Sequence, residues 1–408
     1  MDDAVVDNSG ANGATSKAHS GKAMNVLYLN HASQISGGEQ SLRAMLRQFR
    51  RAQSPVEPVI ALPGSGPFAD VLRDEEWMVT FAPLRRLQRP HNFLAGMAAL
   101  VHILQTAPYV TKLIQQTGSH LVHSNSTTAH LVGGLAAERF GIPAIWHARD
   151  LVNLSRIGSQ LGARATWVVA ISGCVAEALQ RDGVPPEKVR IIHNGLDPDE
   201  WSPHPPGPLR DTLRNSLGLP EDAFVFGCVG QLVPWKNHMA FIEAAAKLCE
   251  DEACAKARFV ILGGDLWGEH QGYVQSLRAK VKEHNLQDRF NFVPHQTNNI
   301  DALSALNAVV LASHDEPFGR VLIEGMALRK VVIAYAENGP IEIINHDQDG
   351  LLVSPQEPDG LALAMRRALQ DDALCEYLGN NARATVTHRF HIADTAQKVL
   401  DLYREVLS

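Results

Sequence analysis

Glu316 and Glu324 stand with seven residues between them, bracketing Pro317, Phe318, Gly319, Arg320 and Val321. The apolar run Ala308-Val309-Val310-Leu311 comes before and reads as a buried strand, while 321–328 reads as a helix. A strand therefore runs into a short polar loop that opens a helix. Pro317 fits the middle of neither element, and Gly319 lets a ligand come close to the backbone. The first turn of a helix leaves N–H groups without intrahelical acceptors, at the positive end of its dipole. Such an end binds phosphates and hydroxyl oxygens. The plainer alternative is that the two carboxylates only complement that dipole.

Other polar stretches also follow apolar runs. Ser36-Gly37-Gly38-Glu39-Gln40 opens a helix, and its paired glycines either present backbone N–H groups to an oxyanion or form a plain turn. The spacing is not GxGxxG, which argues against a nicotinamide cofactor. His147, Arg149 and Asp150 lie just past another run, as does His123 in Val122-His123-Ser124-Asn125-Ser126. A neutral imidazole there can accept from a hydroxyl or stabilise developing charge. Lys236 lies in Cys228–His238 after a further run, and Pro294 and His295 after another.

The elements that must hold these residues are strands at 25–29, 59–62, 79–81, 121–123, 144–146, 167–170 and 189–192, then 225–229, 259–262, 290–293, 308–311, 331–334 and 351–353. Helix-like stretches such as 40–50 and 128–140 separate them. Short apolar strands between amphipathic helices predict parallel sheets covered on both faces. Two such series predict an α/β chain of two Rossmann-like domains, 24–197 and 223–390, joined by a proline-rich linker over 198–222. Ligands bind beyond the carboxyl ends of such strands, so the site belongs in the cleft between the domains.

The 408 residues suffice for two domains, and the net charge of -7 argues against nucleic acid as a partner. Five scattered cysteines without a CxxC read as reduced thiols of a cytoplasmic protein. Residues 1–23 are polar, carry no apolar core of a signal peptide and read as a disordered tail. No run reaches the ~18 apolar residues of a membrane span; 93–104 comes nearest but is short and contains His102. Arg85, Arg86 and Arg89 precede that stretch. They mark either a peripheral membrane contact or a solvated loop before a packed helix.

Glu-Pro-Phe-Gly-Arg-Val-Leu-Ile-Glu-Gly-Met-Ala, over 316–327, resembles the signature of the retaining family 4 glycosyltransferases, and the resemblance extends over 24 to about 390. It implies the GT-B fold, two Rossmann-like domains facing across a deep cleft, with a last helix, 391–408, crossing back to the first. It implies a metal-independent enzyme without a cofactor, moving a hexosyl group from a UDP- or GDP-sugar to a glycan, lipid-linked or small-molecule acceptor. By the same resemblance Glu316 binds the transferred sugar and Glu324 the ribose. Phe318, Gly319, Arg320, Val321 and Gly38 face sugar and diphosphate, and Pro294 and His295 hold the base. Lys236 matches the family lysine on the diphosphate, and Gln231 replaces the family arginine beside it. His147 stands beside the reacting sugar, with Gly37, His123 and Arg149 toward the acceptor. Asp197-Pro198-Asp199 has the spacing of a metal-binding DxD but reads as a structural turn. The rival readings are an epimerase on the same fold and a non-catalytic sugar-nucleotide binder.

Overall fold

The protein is seen in a computed structural model that describes residues 23–86, 92–155, 157–202, 213–295 and 299–408. The expected tail apart from Ala23, Arg89, and the linker prolines Pro203, Pro205, Pro206 and Pro208 lie outside these residues. The strands are β1 Met24–Leu29, β2 Val56–Leu62, β3 Met78–Phe81, β4 Leu121–Ser124, β5 Ala144–Ala148, β6 Trp167–Ala170, β7 Val189–Ile191, β8 Phe224–Val229, β9 Ala257–Leu262, β10 Phe290–Val293, β11 Ala308–Leu311, β12 Val331–Tyr335 and β13 Leu351–Val353. They make a seven-stranded sheet, 3-2-1-4-5-6-7, and a six-stranded sheet, 10-9-8-11-12-13. Every pairing is parallel, for example Tyr28 opposite Ile60 on one side and His123 on the other. β5 and β8 are buried along their whole length, because helices cover both faces. The two-domain α/β expectation is met.

The helices are α1 Gly37–Arg51, α2 Pro67–Asp74, α3 Phe93–Thr117, α4 Thr127–Phe140, α5 Ile157–Arg164, α6 Gly173–Arg181, α7 His238–Cys249, α8 Gln271–Glu283, α9 Asn299–Ser304, α10 Arg320–Ala327, α11 Gly339–Ile343, α12 Gly360–Gln370, α13 Asp372–Arg389 and α14 Ile392–Leu407. α14 inserts Val399, Leu400 and Tyr403 into the core made by α1 and β1, beside Leu42, Met45 and Phe49. The two crossings between sheets touch: Leu196 donates to Phe390 O at 3.0 Å and accepts from Ile392 N at 2.9 Å. Gly195 is required there, since a Cβ would lie 2.8 Å from Ile392 Cα.

Several elements run past their expected bounds, β2 and α3 among them. β2 begins at Val56 and includes Pro58, which pairs with Val26 of β1. β3 joins only from Val59, so at Pro58 the strand has a neighbour on one side and the missing N–H is tolerated. α3 does not stop near Leu104. It runs through Pro108 to Thr117 because Ala107, Val110, Leu113 and Ile114 are buried against the sheet.

Candidate active site

Each sheet reverses its strand order once, between β1 and β4 and between β8 and β11. Parallel sheets bind ligands outside the carboxyl ends of strands at such a reversal. The segments that follow these four strands surround one cavity of about 270 Å³. His31 and Gly37 to Glu39 follow β1, Asn125 and Ser126 follow β4, Gly230 to Lys236 follow β8, and Glu316 to Val321 follow β11. Arg149, Asp150 and His295 join the wall.

On the second-domain side the Lys236 Nζ lies 2.5 Å from Glu316 Oε2 and 4.3 Å from the Trp235 ring centre. The side chains are only 15% and 7% exposed, so their attraction is weakly screened. The Glu316 carbonyl accepts from Gly339 N at 3.0 Å. A Cβ on Gly339 would sit 2.4 Å from Phe318 Cα, so only glycine lets α11 support this loop. Gly319 caps α10 at φ 94°, a left-handed conformation that glycine adopts without strain. Past it, the Arg320 and Val321 amides precede the first bond of the helix, which Leu322 N makes to Gly319 O at 2.8 Å. Arg320 spans the cleft: Nε donates to Glu324 Oε1 at 2.7 Å and Nη1 to Ser41 Oγ of α1 at 2.9 Å.

On the first-domain side Glu39 closes the start of α1. Its carboxylate accepts from Ser36 N at 3.0 Å, Ser36 Oγ at 2.5 Å and Asn30 Nδ2 at 3.0 Å. This holds Gly37 and Gly38 as a surface without side chains between two guanidinium groups. A Cβ on Gly37 would lie 3.9 Å from Arg320 Cδ, and one on Gly38 3.4 Å from Arg149 Cδ. Arg149 donates to Asn125 Oδ1 at 2.9 Å and Asn194 Oδ1 at 2.8 Å. Burial brings its pKa down to about 10 against the pull of Glu39 and Asp150, with Arg320 adding repulsion, so it stays charged at neutral pH. His31 shares a 2.8 Å hydrogen bond with Ser126 Oγ, and desolvation holds it below its ordinary value despite Glu39 and Asp150. Three cations and a helix start thus converge where the backbone is bare, an arrangement that suits a diphosphate.

The family models match in the same two halves. "Glycosyltransferase Family 4" covers residues 35–200 and "Glycosyl transferases group 1" covers 210–385. The chain belongs to the group 1, family 4 glycosyltransferases. It is 27% identical to the D-inositol 3-phosphate glycosyltransferase of Saccharomonospora viridis, over 80% of this chain and 78% of the relative. It is 26% identical to the UDP-Gal:alpha-D-GlcNAc-diphosphoundecaprenol alpha-1,3-galactosyltransferase of Escherichia coli, over 84% and 87%. Among solved structures it resembles Anabaena HepE in complex with UDP and glucose, with TM-score 0.79, 25% identity, and 93% and 99% of the two chains covered. The fold is GT-B, and the protein is a hexosyltransferase acting on a nucleotide sugar.

Of the residues assigned to a donor from sequence, Gly38, Gln231, Lys236, His295, Glu316, Phe318, Gly319, Arg320, Val321 and Glu324 line the cavity, and Pro294 does not. The Phe318 ring points away, packing 5.8 Å from both His193 and Phe390. Gly37 and Arg149 line the cavity on the acceptor side. His123 and His147 do not: they are 0% and 2% exposed, in the layer behind Arg149. Ser172 is also off the wall, capping α6 and donating to Pro317 O at 2.6 Å. His31, Glu39 and Asn194 were not singled out, although His31 sits two residues past β1, at the reversal of the first sheet. Among the described residues no three His, Cys, Asp or Glu side chains are grouped to hold a metal ion. Asp197 is paired with Arg51 and accepts from Asp199 N at 2.9 Å, as in a turn.

Proposed function

We propose that the enzyme transfers a hexosyl group from a UDP-sugar to a lipid-linked glycan with retention of anomeric configuration. The observation that carries this reading is the cavity in which Lys236, Arg320 and the start of α10 face Gly37 and Gly38. UDP is favoured by the HepE complex and by the donor named for the E. coli relative.

In this reading the donor diphosphate lies against Lys236, Arg320 and the first amides of α10. Glu316 takes the sugar hydroxyls, Glu324 the ribose, and His295 the base edge. His147, buried behind Arg149 and off the cavity wall, has no contact with the sugar. Gly37 and Arg149 meet the acceptor. The acceptor oxygen bonds the anomeric carbon on the face from which the phosphate oxygen departs, and that oxygen takes the acceptor's proton. The route requires no protein nucleophile, and no step is assigned to a metal ion or cofactor. Lys236 stabilises the charge gathering on the leaving group, and closure of the cleft limits hydrolysis.

The lipid-linked acceptor is supported by an exposed apolar patch. Of the 17 exposed large hydrophobic side chains among the described residues, nine lie between Met78 and Tyr109. α3 is long and apolar enough to cross a membrane by length and composition. Its second half, however, is packed on the first sheet, which favours contact along a surface. Arg85 and Arg86 at its base suit anionic headgroups. Arg86 also pairs with Glu269 at 2.9 Å and covers Trp267, next to Leu266 of the cavity wall, so patch and cleft adjoin. In this reading the enzyme works at the cytoplasmic face of a membrane, and the exposed patch supports the membrane contact.

The test is a panel of UDP-, GDP- and ADP-sugars, with and without lipid-linked acceptors, read by nucleotide release and by the anomeric signals of the product. Acceptor-dependent release from a UDP-sugar with a retained anomer is expected. Conversion of the donor without acceptor would replace this reading with an epimerase, and binding without turnover would replace it with a sugar-nucleotide binder.

A further inference from the structure

The loop 312–319, between β11 and α10, takes its main-chain anchors from both domains. His314 N donates to Trp235 O at 2.9 Å, and Glu316 O accepts from Gly339 N at 3.0 Å. Both of these partners belong to the second domain. Pro317 O accepts from Ser172 Oγ at 2.6 Å, and Ser172 belongs to the first domain, at the start of α6. Cys174 Sγ, a weaker donor, lies 3.4 Å from the same carbonyl.

The direction of the Ser172 bond is fixed by its neighbours. Val175 N donates to Ser172 Oγ at 3.3 Å, which caps α6 and leaves the hydroxyl hydrogen free. Pro317 has no N–H, so its carbonyl is its only backbone hydrogen-bonding group and can only accept. Ser172 is wholly buried, so water does not compete for the bond. The next two amides of the same turn, Gly173 N and Cys174 N, donate to Glu342 of α11, the helix whose Gly339 N holds Glu316 O. The start of α6 therefore grips the loop twice, directly at Pro317 and indirectly through α11. Pro317 and Glu316 both line the cavity, so one hydrogen bond joins Ser172 to its wall.

We propose that Ser172 is a positioning residue for transfer: through the Pro317 carbonyl it holds Glu316 in place at the cavity wall while the two domains are in contact. Parting the domains breaks the Ser172–Pro317 bond and leaves the loop with its second-domain anchors alone. The contact that shuts the cleft and the contact that fixes the carboxylate are thus one. The inference rests on the assignment of Glu316 to the transferred sugar.

Ser172→Gly and Ser172→Ala both remove the donor, but glycine caps a helix much better than alanine. Native-state amide exchange reads the loop without any substrate. In both variants the His314 and Gly339 amides should exchange about tenfold faster, with the amides of β8 unchanged. UDP release with the donor and acceptor found by the panel above should show kcat lowered about tenfold in both, and the donor KM within about threefold. The alanine variant should melt lower than the glycine variant at the same kcat. In a Glu316→Gln background Ser172→Gly should cost less than about twofold, because the group it positions has already been altered. Unchanged exchange overturns the proposal. So does a kcat that follows the melting temperature from glycine to alanine, or a tenfold loss that persists in the Glu316→Gln enzyme. Faster exchange in a protein whose wild type transfers no sugar would uphold the grip on the loop and reject the functional reading instead.

Discussion

Lys236 and Glu316 neutralise one another at 2.5 Å, although they follow different strands, β8 and β11. In the proposed reaction the donor diphosphate competes for the same ammonium, and its arrival frees the Glu316 carboxylate for hydroxyl groups. Both partners are therefore required for turnover. Lys236→Ala should lower kcat/KM by roughly 10²–10³, the usual cost of losing one charge-stabilising donor. Glu316→Gln, which keeps the shape but loses the charge, should fall in kcat while UDP still binds. Nucleotide-release kinetics and calorimetry with UDP separate the two effects. A fully active Lys236→Ala would remove the phosphate role.

Gln231 lines the cavity at the position where the sequence resemblance leads one to expect an arginine. Its amide donates without charge, so the wall has room for a stronger contact. Gln231→Arg should tighten UDP binding about tenfold, the difference between a neutral and a charge-assisted hydrogen bond to phosphate. Titration calorimetry with UDP reads this directly. Weaker binding by the variant would show that Gln231 does not face the diphosphate.

The strands were legible because parallel strands covered on both faces read as short apolar runs, and every expected run became a strand. The cavity was legible in outline because strand ends are where such sheets bind. Side-chain direction was not legible. His147 and Arg149 are two residues apart, yet Arg149 reaches the wall while His147 turns inward to His123, because Tyr403 arrives from 280 residues beyond His123. Glu342 stands in Gly339-Pro340-Ile341-Glu342-Ile343, a stretch whose residue types signal only a turn into a helix. The partners of its carboxylate, all in the first domain, are set by tertiary structure that no local pattern encodes.

Those contacts make Glu342 a pin between the domains. Its carboxylate accepts from Gly173 N at 2.9 Å and Cys174 N at 3.1 Å, and lies 3.1 Å from His193 Nε2. Burial by itself raises its pKa, but the bonds from His193, Gly173 and Cys174 outweigh this and hold it below 4.5. A carboxylate whose pKa is lower folded than unfolded adds stability above its unfolded pKa. That stability is lost as pH falls through the folded value. Thermal stability should therefore drop below about pH 4.5, and Glu342→Gln should flatten that part of the profile. At pH 7 the same variant should melt lower by roughly 2–6 °C, for about 1–2 kcal/mol of charged hydrogen bonding. Melting curves of both proteins from pH 3.5 to 7 decide it, and parallel profiles would count against the pin.

Phe93 and Leu94 are the most exposed large hydrophobic side chains of the patch, at 79% and 76%. They lie in the first turn of α3, where Asn92 caps the helix by accepting from Ala95 N at 2.8 Å. Neither contributes to a core, so replacing both should leave the melting temperature almost unchanged. Seating each in a bilayer gains about 2 kcal/mol by the area it removes from water. Phe93→Asp with Leu94→Asp should therefore weaken binding to vesicles containing anionic lipid by roughly two to three orders of magnitude. Transfer to a water-soluble acceptor should stay at the wild-type rate, while transfer to acceptors embedded in vesicles should fall with binding. Arg85→Glu should weaken vesicle binding less, and only at low salt, because an exposed charge is screened beyond about 8–10 Å. Co-sedimentation with vesicles that does not distinguish the double variant from the wild type would leave the patch without a membrane role and return the acceptor to a soluble glycan.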